Sequence, residues 1–267
     1  MSGFIFFLTK ITPILKNNFW RLFINVYRPA GVLFFLLVAP LLMKGQLNIG
    51  INGGISRNSL ISNRGYRTLT TGEKVGGYTA GVILQYPVSK FIMIGAEPSF
   101  VGKNYKIARS DYYQGVYETT YNNYIQLPIL LTFSLSNERM LGGISAGGYS
   151  AYWAHSRKKG EIPNLSNLSL QDGDYTNVFQ NMQRFSYDET YHFNSKLDNR
   201  WEFGWVAGLD FQYTLTKRIA CFINARYYYS LTDQGKDYSV NQQQRFNETV
   251  AVTAGLLFKA NRSKKSR

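Results

Sequence analysis

Trp201–Thr214 reads W-E-F-G-W-V-A-G-L-D-F-Q-Y-T. Trp201, Phe203, Trp205, Ala207, Leu209, Phe211 and Tyr213 fall on one side; Glu202, Gly204, Gly208, Asp210 and Gln212 fall on the other. A period of two marks a strand with two unlike faces. A soluble sheet turns its larger polar face to water. Here the apolar face is the wide and continuous one, with aromatics at its ends. Apart from Val206, the opposite face is glycine and polar. That inversion fits a barrel with lipid outside and a narrow polar lumen inside.

Seven further segments alternate in the same way. Leu47–Ile55 and Thr249–Phe258 are the outermost. Between them lie Tyr78–Pro87, Phe91–Phe100, Tyr124–Leu135, Met140–Trp153 and Ile219–Leu231. In Tyr124–Leu135 the apolar set is Ile125, Leu127, Ile129, Leu131, Phe133 and Leu135, against Gln126, Pro128, Thr132 and Ser134. Met140–Trp153 is rich in Gly and Ser, and its facing is ambiguous. Pro128 sits mid-segment without a ladder donor, which predicts a bulge or bend there. Strands of about 9–11 residues cross a bilayer when tilted.

The connections are 56–77, 88–90, 101–123, 136–139, 154–200, 215–218 and 232–248, alternating long and short throughout. Short periplasmic turns and longer outer loops are the rhythm of a transmembrane barrel, and an even strand number returns both ends to the periplasm. The expected fold is therefore all-β: an eight-stranded antiparallel up-and-down transmembrane β-barrel. Aromatics are expected to form two girdles at headgroup level. Tyr86, Phe91, Phe133, Phe211, Tyr213 and Phe258 lie near the turns. Phe100, Tyr124, Tyr152, Trp153, Trp201, Trp205, Tyr227 and Tyr229 lie near the loops.

Composition points elsewhere until it is resolved along the chain. The 267 residues carry 30 Lys+Arg against 16 Asp+Glu, a net charge of +14, with a mean hydropathy of −0.22. Such values first suggest a soluble nucleic-acid binder. Yet Lys10, Lys16, Arg21, Arg28 and Lys44 precede the alternating region, and Lys259, Arg262, Lys264, Lys265 and Arg267 follow it, with no acid in either end. The middle keeps a net of only +4, so no nucleic-acid partner is expected. The single Cys excludes an internal disulfide and a multi-cysteine zinc site.

Gly31–Met43 is an apolar run of 13 residues preceded by Arg28 and followed by Lys44-Gly45-Gln46. It is shorter than the roughly 20 residues of a transmembrane helix and has the layout of an export signal. The domain expectation is residues 1–45 as an export signal or N-terminal hydrophobic helix, 46–258 as the barrel, and 259–267 as a basic tail. Cleavage after Gly45 is the reading; an uncleaved anchor and a true start further downstream stay open.

Leu47–Ile55 (LNIGINGGI), Tyr124–Leu131 (YIQLPILL), Gly208–Tyr213 (GLDFQY) and Ala225–Leu231 (ARYYYSL) together resemble the PorT-like outer-membrane β-barrel proteins of Bacteroidota. The Tyr-Ile-Gln-Leu-Pro segment is the most specific, and the resemblance runs over roughly 46–258. It implies an eight-stranded barrel in the outer membrane of a Gram-negative bacterium. It also implies contact with outer-membrane lipid and with the barrel-assembly machinery. One branch of that family is implicated in protein secretion. The tail after Phe258 departs from outer-membrane proteins that end on an aromatic.

Eight strands leave a lumen that side chains fill. The inward polar set is Glu97, Gln126, Glu202, Asp210, Asn224 and Arg226. The tight turn Leu215–Arg218 sets Asp210 opposite Asn224 and Arg226 diagonal to Asp210, so an interior salt-bridge network is expected. No catalytic, cofactor-binding or metal site is indicated. His155 and His192 are 37 residues apart, and Asp172-Gly173-Asp174 lacks the remaining spacing of a calcium loop. The leading expectation is a non-enzymatic barrel, structural, adhesive or accessory to secretion. A rim enzyme using His155, Ser156, His192 and Glu202 is the second reading, and a soluble ligand-binding barrel the third. The connection 154–200, mixing polar residues with Tyr and Phe, is the expected site for protein partners.

Overall fold

The computed structural model describes residues 47–62, 69–164, 183–236 and 244–259. The segment 1–45 read as an export signal, Asp172-Gly173-Asp174, the middle of the connection 154–200 and the tail beyond Lys259 lie outside the described residues.

The strands are β1 (Asn48–Ser62), β2 (Thr70–Pro87), β3 (Ile92–Ala96), β4 (Ser99–Gly102), β5 (Tyr105–Arg109), β6 (Tyr117–Ser136), β7 (Met140–Pro163), β8 (Arg184–Thr190), β9 (Trp201–Thr214), β10 (Ile219–Ser230) and β11 (Arg245–Phe258). Every pairing is antiparallel. β1 pairs with both β2 and β11, which closes the ring. β3, β4 and β5 together form one interrupted stave between β2 and β6. The ring then runs β6, β7, β9, β10, β11, making eight staves. β8 stands outside it, paired with the upper end of β7 from Arg157↔Thr190 to Pro163↔Arg184.

The facing follows the sequence pattern. On β6, Ile125, Leu127, Ile129, Leu131, Phe133 and Leu135 are all exposed, while Gln126, Pro128, Leu130, Thr132 and Ser134 are buried. A closed wall with apolar residues outside satisfies every backbone group within the sheet, the condition for spanning hydrocarbon. Hydroxyls close two of the tight turns. Ser89 Oγ accepts from the N–H groups of Phe91 and Ile92, and Thr216 Oγ from those of Arg218 and Ile219. β7 resolves its ambiguity: Ser145, Tyr149, Ala151 and Trp153 face inward.

Four expectations are corrected. The segments read as loops at 56–77, 101–123, 154–200 and 232–248 contain strand: β1, β2, β6, β7 and β11 all run past their expected outer limits, and β5 and β8 are additional. Pro128 makes no bulge in the β6–β7 ladder, where it pairs regularly with Tyr149. Its carbonyl accepts from the Glu97 N–H, so its ring nitrogen faces the break between β3 and β4, where no ladder donor is required. The register shift falls instead at Asn123/Tyr124, opposite an extra residue, Ala154. Tyr124 and Trp153 are not girdle residues. They are inward and buried, stacked on each other at 6.0 Å. Finally, the lumen is not polar throughout: Ile83, Ala220, Phe222 and Leu257 form an apolar plug at the turn end.

Candidate functional site: the filled lumen and its outer mouth

Above the plug lies a charged layer built from three staves. The register pairs Asn224 with Asp210 and Arg226 with Gly208. Arg226 therefore reaches diagonally to Asp210, with Nη2–Oδ1 at 2.5 Å, and across the lumen to Glu97, with Nη2–Oε1 at 2.7 Å and Nε–Oε2 at 3.3 Å. Its Nη1 donates to the Leu209 carbonyl at 3.2 Å. With its amide oriented to satisfy both neighbours, Asn224 donates to Asp210 Oδ1 at 3.2 Å and accepts from Arg226 Nη2 at 3.3 Å. All four side chains are buried. Gly208 makes this possible, because a Cβ there would lie 2.7 Å from Arg226 Nη1 and 2.5 Å from the Ala225 carbonyl.

Glu202 belongs to a separate layer nearer the outer mouth. Lys103 Nζ donates to its Oε1 at 2.6 Å, and the Tyr149 hydroxyl to the same oxygen at 2.7 Å. Asn247 Nδ2 donates to Glu202 Oε2 at 2.6 Å. Lys103 is fully buried, and its ammonium lies 4.9 Å from the Tyr124 ring centre and 4.8 Å from that of Tyr149, a cation held between two aromatic faces. Asn58, Asn247, Thr249 and Gln234 extend the hydrogen-bonded layer across β1, β11 and the β10–β11 connection.

The six expected lumen residues thus divide. Glu97, Asp210, Asn224 and Arg226 meet; Glu202 is in the second layer; Gln126 is buried on β6 between Ser99 and Ala151 in register. Lys103, the partner of Glu202, is not among the expected lumen residues because it falls in 101–123, which reads as loop. The signal was present: continuing the inward series Glu97, Ser99, Val101 by one more step reaches Lys103.

An aromatic lid closes the mouth. Trp153 packs against Tyr191 (6.0 Å) and Phe193 (4.9 Å), both from the connection before β9. Asp198 ties that connection down, accepting from the Tyr191 hydroxyl at 2.8 Å and from the Asn194 N–H at 2.6 Å. Burial, then the bond to Asp198, pushes the Tyr191 hydroxyl up to about 12, so it stays a protonated donor. The residues considered for rim chemistry do not converge. Glu202 is ion-paired inside, Ser156 is buried, His155 is exposed and so is His192. His155 and Ser156 are consecutive on β7 and point to opposite faces of the wall. Among the described residues, no three His, Cys, Asp or Glu side chains come together as metal ligands.

A closed antiparallel ring, apolar outside and filled by paired charges inside, is the architecture of an outer-membrane β-barrel. Residues 39–234 match the family described as outer membrane protein beta-barrel domain, and the chain belongs to it. Its place is the outer membrane of a Gram-negative bacterium. Among solved structures it is similar to OprG from Pseudomonas aeruginosa, with 11% identity over 81% of this chain and 96% of that one at a TM-score of 0.42. It is also similar to the attachment invasion locus protein Ail of Yersinia pestis, with 16% identity over 81% of this chain and 100% of that one at a TM-score of 0.37. No curated protein matches the sequence.

Proposed function

We propose that this chain is a non-enzymatic, non-conducting barrel that presents a rigid β-platform to protein partners at the cell surface, in an accessory role such as secretion. The filled interior carries this reading. Plug, charged layers and aromatic lid succeed one another along the lumen, so accessible chemistry is left to the strands that project outward. Upper β7 and β8 are among these, and their cross-strand pair Ile162 and Phe185 is exposed in spite of being apolar. Exposed apolar side chains flanked by polar ones suit a protein contact. In this proposal residues 1–45 direct export, the barrel-assembly machinery inserts 46–258, and the basic tail 259–267 belongs to the periplasmic side. The PorT-like resemblance, and Bacteroidota as the source, belong to the same reading.

The test is crosslinking in intact cells, with the wild type beside Ile162→Asp/Phe185→Asp. The double variant is expected to keep its heat-modified gel mobility and lose its crosslinked protein partner. Undiminished capture would overturn the platform. Stepwise conductance of the purified barrel in planar bilayers would overturn the closed lumen.

A further inference from the structure

The outer wall changes character where the lipid-facing band ends. On β6 the last apolar outward residue is Ile125, in register with Tyr152 of β7. Tyr152 packs on Trp201 at 5.2 Å, and Tyr78 on Phe100 at 6.1 Å, which marks the headgroup level. The next outward residues are polar or cationic. Asn123 pairs with His155, Tyr121 with Arg157 and Thr119 with Lys159. The Ala154 bulge stands at this step, re-aiming β7 so that His155, Arg157 and Lys159 line one outward face. Successive same-face residues on a strand lie about 6.8 Å apart.

These residues border a cavity of about 400 Å³, lined by Tyr78, Tyr121, His155, Arg157, Lys159 and Asp188 among others. Small-molecule sites run from about 300 to 1,000 Å³. Among the described residues that line it, Asp188 of β8 is the one carboxylate. It is bound by Arg157, whose Nε and Nη2 reach its two oxygens at 2.6 and 2.7 Å. Lys159 stands opposite Asp188 in the β7–β8 register and acts on it electrostatically without a close ion pair, and among the described residues His155 has no ion pair. The cavity is therefore cationic, aromatic at its lower edge and continuous with the lipid band.

We propose that this groove binds the phosphate-bearing headgroup of an outer-leaflet lipid, with Arg157 and Lys159 on the phosphate and Tyr78 and Tyr121 against the headgroup body. The position argues for a lipid occupant rather than a soluble anion. A molecule anchored in the surrounding bilayer brings its phosphate to the level of Arg157 and Lys159 while its chains run down the wall past Ile125 and Leu127. Asp188 acts as an internal competitor, occupying Arg157 until a phosphate displaces it.

The test uses the full chain, folded in phosphatidylcholine nanodiscs and titrated with diphosphorylated lipid A, the same lipid A with both phosphates removed, and inorganic phosphate. Bound lipid is counted by native mass spectrometry. The phosphorylated lipid is expected to bind about tenfold more tightly than its dephosphorylated form, the worth of one good charge-assisted contact. Lys159→Gln, which breaks no ion pair, is expected to remove most of that preference. Asp188→Asn is expected to strengthen it, an effect that mere loss of folding would not produce. Lys217→Gln, in a periplasmic turn, is expected to change nothing. Equal binding of the two lipids, no change in Lys159→Gln, or weaker binding by Asp188→Asn would each overturn the site. Inorganic phosphate binding as tightly as the lipid would overturn the lipid assignment.

Discussion

The same ion-pair chemistry appears in two halves of this molecule with opposite consequences. Inside the band, Arg226 holds Glu97 and Asp210 with all three side chains at 7% exposure or less. Above it, Arg157 holds Asp188 just as closely, yet the arginine side chain is 58% exposed. In the lumen each partner has lost its water and depends on the others. On the projecting strands water solvates either partner alone. Distance therefore says little about what a pair contributes; the environment decides.

The largest expected effect breaks the lumen side of that contrast. Arg226→Leu leaves Glu97 and Asp210 buried without a counter-charge and should cost about 3–5 kcal/mol. The heat-modified mobility transition of the folded barrel should fall accordingly. A transition that stays in place would mean the carboxylates are hydrated or otherwise paired.

The contrast also explains what the sequence could show. From Tyr124 to Leu135 one face meets lipid and the other the lumen, so alternation is strong and the strand is legible. From Tyr117 to Asn123 the same strand has polar residues on both faces, and the period-two signal vanishes although the backbone continues unchanged. Alternation reports the difference between two environments rather than the strand itself. That is why β5, β8 and the outer parts of β1, β2, β7 and β11 read as loop. Asp210, Asn224 and Arg226 were legible because a tight turn fixes the register between β9 and β10. The pairing of Lys103 with Glu202 was not, since it crosses the lumen between staves distant in sequence. Trp153 was misplaced because an aromatic near a strand end suits a girdle and a lumen lid equally well, and only facing separates them.

Next in size comes a substitution that contrasts two equally exposed apolar residues. Ile129 is 51% exposed and Ile162 48%, both on outer surfaces. Ile129→Arg puts a charge midway along the lipid-facing part of β6 and should cost about 2–4 kcal/mol. Ile162→Arg lies on the projecting hairpin and should leave the transition unchanged. Similar effects at both positions would move the lipid boundary. Somewhat smaller, Lys103→Met removes the cation from Glu202 but leaves it the Tyr149 and Asn247 donors. A loss of roughly 2 kcal/mol in urea unfolding is expected, less than for Arg226 because the remaining donors still solvate the carboxylate.

The smallest effect lies at Arg157 and Asp188. The hydrogen bonds from Arg157 hold the Asp188 carboxyl below its ordinary value. A depressed carboxyl contributes stability above its ordinary value and loses it as pH falls through the lower, folded one. Because water and salt screen this exposed pair, Arg157→Gln should leave the heat-modified transition where it is. What should change is local. In detergent micelles the Arg157 Nε–H resonance should shift toward that of a free guanidinium as acid protonates Asp188, with a midpoint below the usual carboxylate range. In 1 M salt that depression should shrink, since the Debye length falls to about 3 Å. A midpoint at the ordinary value would mean the pair does not form in solution. A fall in the barrel's own transition on Arg157→Gln would erase the distinction between the lumen and the projecting strands.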